Sequence, residues 1–242
     1  MLARQDFAAR YRSAVLGLSW TVALPLVQGL VLAVVFTRVV RVETTAPYVA
    51  FVLVGIASWS YLSGSVSSAS TSVVDGGSLA TKLYFPRLVL PAVAPTANLV
   101  GYAISMAIGV LVAVGQTREL QPTVLLLPVA MALAYALAVL VSALAAVLHV
   151  YYRDVRYVVQ ALLMVAFYAT PVIYPLQLAG GLVPFLLANP ATGVVQLTRW
   201  CVFGEADSLG PALAWTVGSL VVLLLLVLRS YGRHERTACD RL

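Results

Sequence analysis

Six runs of this chain are apolar over lengths that cross a bilayer: Leu16 to Val40, Tyr48 to Val73, Ala92 to Val114, Val124 to Val150, Val155 to Tyr174 and Pro211 to Leu228. About 20 apolar residues in a helix span the ~30 Å of hydrocarbon in a membrane. Lipid offers no water to an open backbone, so each run is predicted to be an α-helix that pairs its own N–H and C=O groups. Composition excludes a soluble domain. Hydrophobic residues make up 62% of the chain, charged residues 10%, and mean hydropathy is +0.96, whereas soluble domains carry about a quarter charged residues. The expected fold class is an all-α integral membrane protein with six transmembrane helices, forming one domain over 1–242. The first run is too long for a signal-peptide core and has no small-residue cleavage site after it, so it is expected to be retained.

Orientation follows from the basic residues. With both ends cytoplasmic, the inner segments hold Arg4, Arg10, Arg12, Lys82, Arg87, Arg153, Arg156, Arg229, Arg233, Arg236 and Arg241, against Arg38, Arg41, Arg118 and Arg199 outside. That is eleven against four, summing to the 15 Lys and Arg of the chain, and the positive-inside rule favours this topology. The net charge of +6 is therefore a topology signal. The basic residues form no continuous patch of the kind nucleic acid requires.

Residues 175–204 are apolar enough to tempt a seventh span. Pro175, Gly180, Gly181, Pro184, Asn189, Pro190 and Gly193 break them into pieces shorter than a crossing. A seventh span would also carry Arg229, Arg233, Arg236 and Arg241 outside. Two short re-entrant or interfacial helices entering from the outer face are expected instead, with their irregular backbone shielded by protein. At the start of the chain, Phe7, Ala8, Tyr11, Ala14 and Val15 share one side of a helical wheel, and Gln5, Asp6, Arg10, Arg12 and Ser13 the other. That pattern predicts an amphipathic helix over 3–15 in the inner interface. The alternative is a simple positive anchor for the first span.

Catalytic chemistry is hard to find in these residues. There is no G-x-x-x-x-G-K-[ST] phosphate loop and no H-E-x-x-H, and the two histidines, His149 and His234, sit at ends of different helices. Cys201 and Cys239 fall on opposite sides of the membrane in this topology, so no intrachain disulfide is expected. Asp and Glu occur only at span ends and in loops, whereas ion-coupled carriers place ionisable groups at mid-membrane. A self-powered carrier is disfavoured, and the energy for any transport would come from a partner.

Several segments together carry a family resemblance: "FAARYRSAVLGLSWTVALPL", "KLYFPRLVLP", "YYRDVRYVVQ", "ATPVIYPL", "NPATGVVQLTRW" and the "RSYGRHER" tail. In this order the chain resembles the permease subunit of ABC-2 type exporters of the polysaccharide and polyol-phosphate export group. One departure is "RVVRVETTAP", whose two arginines face outward against the usual bias. The resemblance implies six spans, a homodimer, and two separate ATP-binding cassette subunits on the cytoplasmic side. ATP and Mg would belong to those subunits, with no cofactor and no metal site in this chain and no enzyme activity of its own.

The resemblance also assigns roles. Residues 75–90 are similar to the family's coupling helix, with Lys82, Leu83, Tyr84, Phe85, Pro86 and Arg87 meeting the ATPase. Tyr84 and Phe85 would be the anchors of that contact, since aromatic residues dominate interface energetics; a basic loop with interfacial aromatics is the alternative. Arg153, Asp154 and Arg156 would form a secondary ATPase contact, and Asp154 is also placed to cap the fifth helix and pair locally with an arginine. Arg10, Tyr11 and Arg12 would form a gate for the lipid head group. Trp59, Tyr61, Phe167, Tyr168 and Tyr174 could stack on passing sugar rings or belong to the membrane belt. The hydroxyls of "SWSYLSGSVSSASTS", 58–72, serve either close helix packing or a sugar-lined corridor.

The function implied is the transmembrane half of an ATP-driven exporter of a lipid-linked polysaccharide, such as O-antigen, teichoic acid or cell-wall galactan. The Ala, Val and Leu bias suggests a GC-rich source; among exporters of the resembled family in such hosts, a galactan precursor is the narrower expectation. An ABC-2 drug or antibiotic exporter and a non-transporting membrane scaffold are the alternatives. The expected location is the inner (plasma) membrane, with both termini cytoplasmic and membrane lipids as neighbours.

Overall fold

A computed structural model of the chain describes residues 19–37, 47–75, 89–205 and 208–234. The interfacial helix expected at 3–15, with Arg10, Tyr11 and Arg12, lies outside the described residues, as do Cys239 and residues 76–88 of the coupling segment, Lys82 to Arg87 included. Among the described residues all regular structure is helical. In chain order the helices are α1 (Ser19–Val35), α2 (Tyr48–Ala69), α3 (Ser72–Asp75), α4 (Leu90–Thr117), α5 (Leu127–Tyr151), α6 (Val155–Tyr168), α7 (Val183–Ala188), α8 (Pro190–Phe203) and α9 (Leu209–His234), with short 3-10 turns before α5 and α7.

Among the described residues four helices are long and apolar enough to cross a membrane: α2, α4, α5 with its leading turn, and α9. They fall on four of the six predicted runs. The other two runs are shorter as helices. α1 has 17 residues within the described part of the chain. α6 has 14, or roughly 21 Å at the helical rise, and stops at Tyr168 where the sequence predicts continuation to Tyr174. The physical reason is Pro171, which disfavours helical backbone at Thr170; residues 169–174 form turns.

The segment after Pro175 is broken as its prolines and glycines require. Leu176–Ala188 and Pro190–Phe203 meet at 112°. Asn189 makes the corner: its side chain accepts from the Ala191 N–H at 3.0 Å, and Pro190 sits at the first position of α8, where a missing N–H costs nothing. α8 ends at Gly204 with a positive φ of 77°, the usual left-handed helix stop.

α2 is the hub, packing against α1, α4, α5, α6 and α8. In its most apolar stretch 72% of residues are buried, against 17% for α9, whose Val221, Val222, Leu225 and Leu228 are exposed. A helix apolar on all sides belongs either in a core or in lipid, and the two helices take one environment each. Small residues set the close contacts. A Cβ on Gly109 of α4 would lie 3.1 Å from a Val54 methyl, and one on Gly55 would lie 2.6 Å from the Val172 carbonyl oxygen.

Candidate functional site

The polar groups of the bundle gather on α2. Ser58 donates to the Val54 carbonyl and lies 3.2 Å from Tyr102 Oη and 3.1 Å from Thr198 Oγ1, joining α2, α4 and α8 in one buried network. Tyr61 stacks on Tyr102 with ring centroids 4.5 Å apart, and its hydroxyl donates to the Pro95 carbonyl at 3.1 Å. Asn98 Nδ2 donates to Ser65 Oγ at 3.2 Å. Such satisfied networks hold helices in a single arrangement.

The hydroxyls of 58–72 separate into two sets. Ser58, Ser65 and Ser70 are buried, within helix contacts. Ser60, Ser63 and Ser68 line a groove of about 360 Å³ between α1, α2 and α4, facing Trp20, Gln28 and Asn98.

The five aromatics expected along a path also separate. Trp59 and Tyr61 are two positions apart, which on a helix puts them roughly 200° apart. Tyr61 belongs to the groove. Trp59 packs on Phe167 at 5.9 Å, Phe167 meets Tyr168 edge-on at 5.2 Å, and Tyr174 donates to the Tyr168 carbonyl at 2.8 Å. The structure therefore places Trp59, Phe167, Tyr168 and Tyr174 together at the α2–α6 contact, apart from Tyr61.

Arg153, Asp154 and Arg156 lie together and exposed between α5 and α6. Asp154 occupies the N-cap position of α6 but makes no side-chain cap, which corrects the capping expected from sequence. Its backbone, φ −76° and ψ −10°, is already helical, whereas a capping side chain needs the extended conformation to reach back to the first amides. Arg156 stacks over the Tyr157 ring at 4.5 Å and donates to its hydroxyl. His149 is buried in the last turn of α5, and Cys201 is buried in α8. Among the described residues no His, Cys, Asp and Glu group could hold a metal.

Arg199 is the residue whose role the charge pattern hid. It is 2% exposed, inside the bundle rather than in an outer loop. Its Nη1 donates to the Pro171 carbonyl at 2.6 Å and its Nη2 to the Val172 carbonyl at 2.5 Å. The guanidinium lies 3.4 Å from the centre of the Phe51 ring. Tyr48 donates to the next carbonyl, Ile173, at 2.5 Å, and Asn189 Nδ2 reaches the Ala169 carbonyl at 3.1 Å. Side chains from α2, α8 and the α8 corner thus satisfy carbonyls of the turns that follow α6. The signal was available: an ionisable residue inside an apolar stretch is retained for a reason and has a nameable partner.

The chain matches the sequence profile of the ABC-2 type transporter over residues 1–203. It belongs to the ABC-2 type transporter family. Among its relatives, the O-antigen export system permease protein RfbA of Myxococcus xanthus is 32% identical over 178 residues, covering 73% of this chain and 67% of the relative. A Klebsiella pneumoniae protein of the same name is 25% identical over 177 residues, with 72% of this chain and 67% of the relative covered. Four membrane-capable helices and membership of the ABC-2 family make the chain a multi-pass membrane protein. Every described element from α1 through α8 lies inside the ABC-2 match, including both the α2 network and the Arg199 latch.

Proposed function

We propose that this chain is the transmembrane subunit of an ATP-driven exporter, carrying a lipid-linked polysaccharide of O-antigen, teichoic acid or cell-wall galactan type from the cytoplasmic side across the inner membrane. The observation that carries this reading is the 32% identity with an O-antigen export permease over 73% of the chain. In it the chain is not an enzyme; two copies pair and two cassette ATPases supply ATP and Mg. Six spans put both termini in the cytoplasm, with α1 and α6 as the shorter crossings and the bent α7–α8 pair as the re-entrant segment. Arg10 and Arg12 receive the lipid diphosphate through charge-assisted hydrogen bonds, and Tyr11 holds the interfacial helix. The aromatics Trp59, Tyr61, Phe167, Tyr168 and Tyr174 border the path of the glycan. Disrupting the gene in its host tests the reading. Lipid-linked glycan should accumulate on the inner leaflet and vanish from the surface; unchanged glycan with new sensitivity to a small amphiphile would reject it.

Two predictions arise from this assignment. Lys82 to Arg87, with Arg153, Asp154 and Arg156 as a second contact, dock the ATPase in it. Replacing Tyr84 and Phe85 by alanine should weaken that complex by ~2 kcal/mol or more, the scale of an aromatic interface anchor. Co-purification and transport-linked hydrolysis would read the loss, and wild-type values for both would remove the docking role. For topology, single cysteines at Ser208 and Thr237, in a background lacking Cys201 and Cys239, should react with an impermeant thiol reagent from opposite sides. Labelling of both from outside would contradict the six-span arrangement.

A further inference from the structure

We propose that the groove between α1, α2 and α4 seats an uncharged, hydroxyl-rich stretch of saccharide and discriminates against an anionic one, an inference that rests on the export reading and narrows it to the neutral glycans, away from the polyanionic teichoic acid type. Ser60, Gly64 and Ser68 recur at i, i+4 and i+8 on α2, so they form one line on the helix surface. Ala97, Gly101 and Ser105 repeat the spacing on α4 across the groove. Facing lines of small residues ordinarily bring two membrane helices into close contact. Here the α2 line borders open space, with Gly64 and Ser68 exposed, above a floor of buried Ala97, Gly101 and Ser105.

Gly64 shows the difference most clearly. A Cβ on Gly29, Gly55 or Gly109 would meet a neighbouring helix or turn, but one on Gly64 would meet nothing within 4 Å. Helix contact accounts for the first three glycines and not for the fourth. What the missing side chain at Gly64 preserves is the volume of the groove, about 360 Å³, within the roughly 300–1,000 Å³ of small-ligand sites.

The lining chemistry selects the occupant. Among the described residues that border the groove there is no Asp, Glu, Lys or Arg. Serine hydroxyls and the amides of Gln28 and Asn98 each both donate and accept, which matches a ligand that is itself made of hydroxyls. The bond from Asn98 to Ser65 holds that amide in place while using one of its two N–H donors. Trp20, 49% exposed, supplies aromatic surface for the C–H face of a sugar ring, while Tyr61 beside it is buried against Tyr102. A carboxylate or phosphate would find no cation to pair with among the described residues of the groove, which is costly at membrane depth.

The test uses the purified permease–ATPase complex in lipid nanodiscs. Equilibrium binding is measured for a neutral oligosaccharide and for a uronate oligosaccharide of equal length, alongside export of the lipid-linked glycan in cells. The wild-type complex should bind the neutral chain, with the uronate weaker by about tenfold or more, or ~1.4 kcal/mol. Gly64→Leu should fill the groove and lose neutral-saccharide binding and export, whereas Gly218→Leu, which also points into open space on α9, should retain both. Equal binding of the two oligosaccharides, no neutral binding, or unchanged binding by Gly64→Leu would overturn the proposal. The neutral-to-uronate comparison needs no variant, so it decides the matter even if Gly64→Leu fails to fold. Neutral-saccharide binding without glycan export by the wild type would instead count against the export reading while leaving the groove in place.

Discussion

Arg199→Leu is expected to lower the stability of the detergent-solubilised protein by roughly 2–4 kcal/mol and to abolish export, because it leaves the buried carbonyls of Pro171 and Val172 without their donors. The guanidinium does two things that no other side chain reproduces. Its planar fork reaches two consecutive carbonyls, and its face rests 3.4 Å from the Phe51 ring centre. Lysine keeps the charge but is a point donor without a stacking face, so Arg199→Lys should recover less than half of the loss. Phe51→Leu removes the contact with the guanidinium together with the ring's packing on Tyr48, and the cation–π part alone should cost about 0.5–2 kcal/mol. Unfolding midpoints for the three variants would check this order. If Arg199→Leu unfolded like wild type, the junction between α6 and the α7–α8 corner would be held by Tyr48 and Asn189 instead.

Among the described glycines, Gly193→Ala should be the most damaging added methyl. The added Cβ would stand 2.6 Å from the Ala212 carbonyl oxygen and 3.0 Å from its carbon, and would also overlap Thr216 Oγ1. Two of these three atoms are backbone, so α8 has to move away from α9. Overpacking of this kind typically costs about 1–3 kcal/mol. The shift would also disturb the bond from Thr216 to the Pro190 carbonyl, 2.9 Å long, at the corner where α8 begins. Gly218→Ala on α9 is the matched control, since nothing lies within 4 Å of its Cβ position; better helix propensity should make it neutral or up to ~1 kcal/mol stabilising. Equal effects from the two substitutions would mean that α8 and α9 are not in such close contact.

Much of the helical layout was legible because a bilayer leaves an apolar run few options. The runs at Tyr48, Ala92, Val124 and Pro211 correspond to α2, α4, α5 and α9, with ends displaced by a few residues. The prolines at 175, 184 and 190 marked the irregular region, and Pro171 brings its start forward to the end of α6. They could not show that its loose carbonyls are gathered by Tyr48, Asn189 and Arg199, because those contacts join residues far apart in sequence. Arg199 illustrates the limit: in a charge tally it is one more outer arginine, and only tertiary packing makes it interior. The glycines of α2 illustrate it again. Gly55 and Gly64 are nine positions apart on the same helix, yet a Cβ on one would meet the Val172 carbonyl and a Cβ on the other would meet nothing. Trp59 and Tyr61, two positions apart in the sequence motif, serve different contacts for the plain reason that a helix turns between them.

The family membership and the likeness to O-antigen permeases converge on a claim that reconstitution tests directly. The chain is co-purified with its cassette ATPase, placed in proteoliposomes with a lipid-linked polysaccharide in the ATPase-facing leaflet, and the opposite leaflet is probed with a glycan-specific reagent that does not cross the bilayer. ATP should make the glycan appear on the far side, and an ATPase unable to hydrolyse ATP should not. Hydrolysis by the assembled complex with the glycan remaining in its original leaflet would contradict the account.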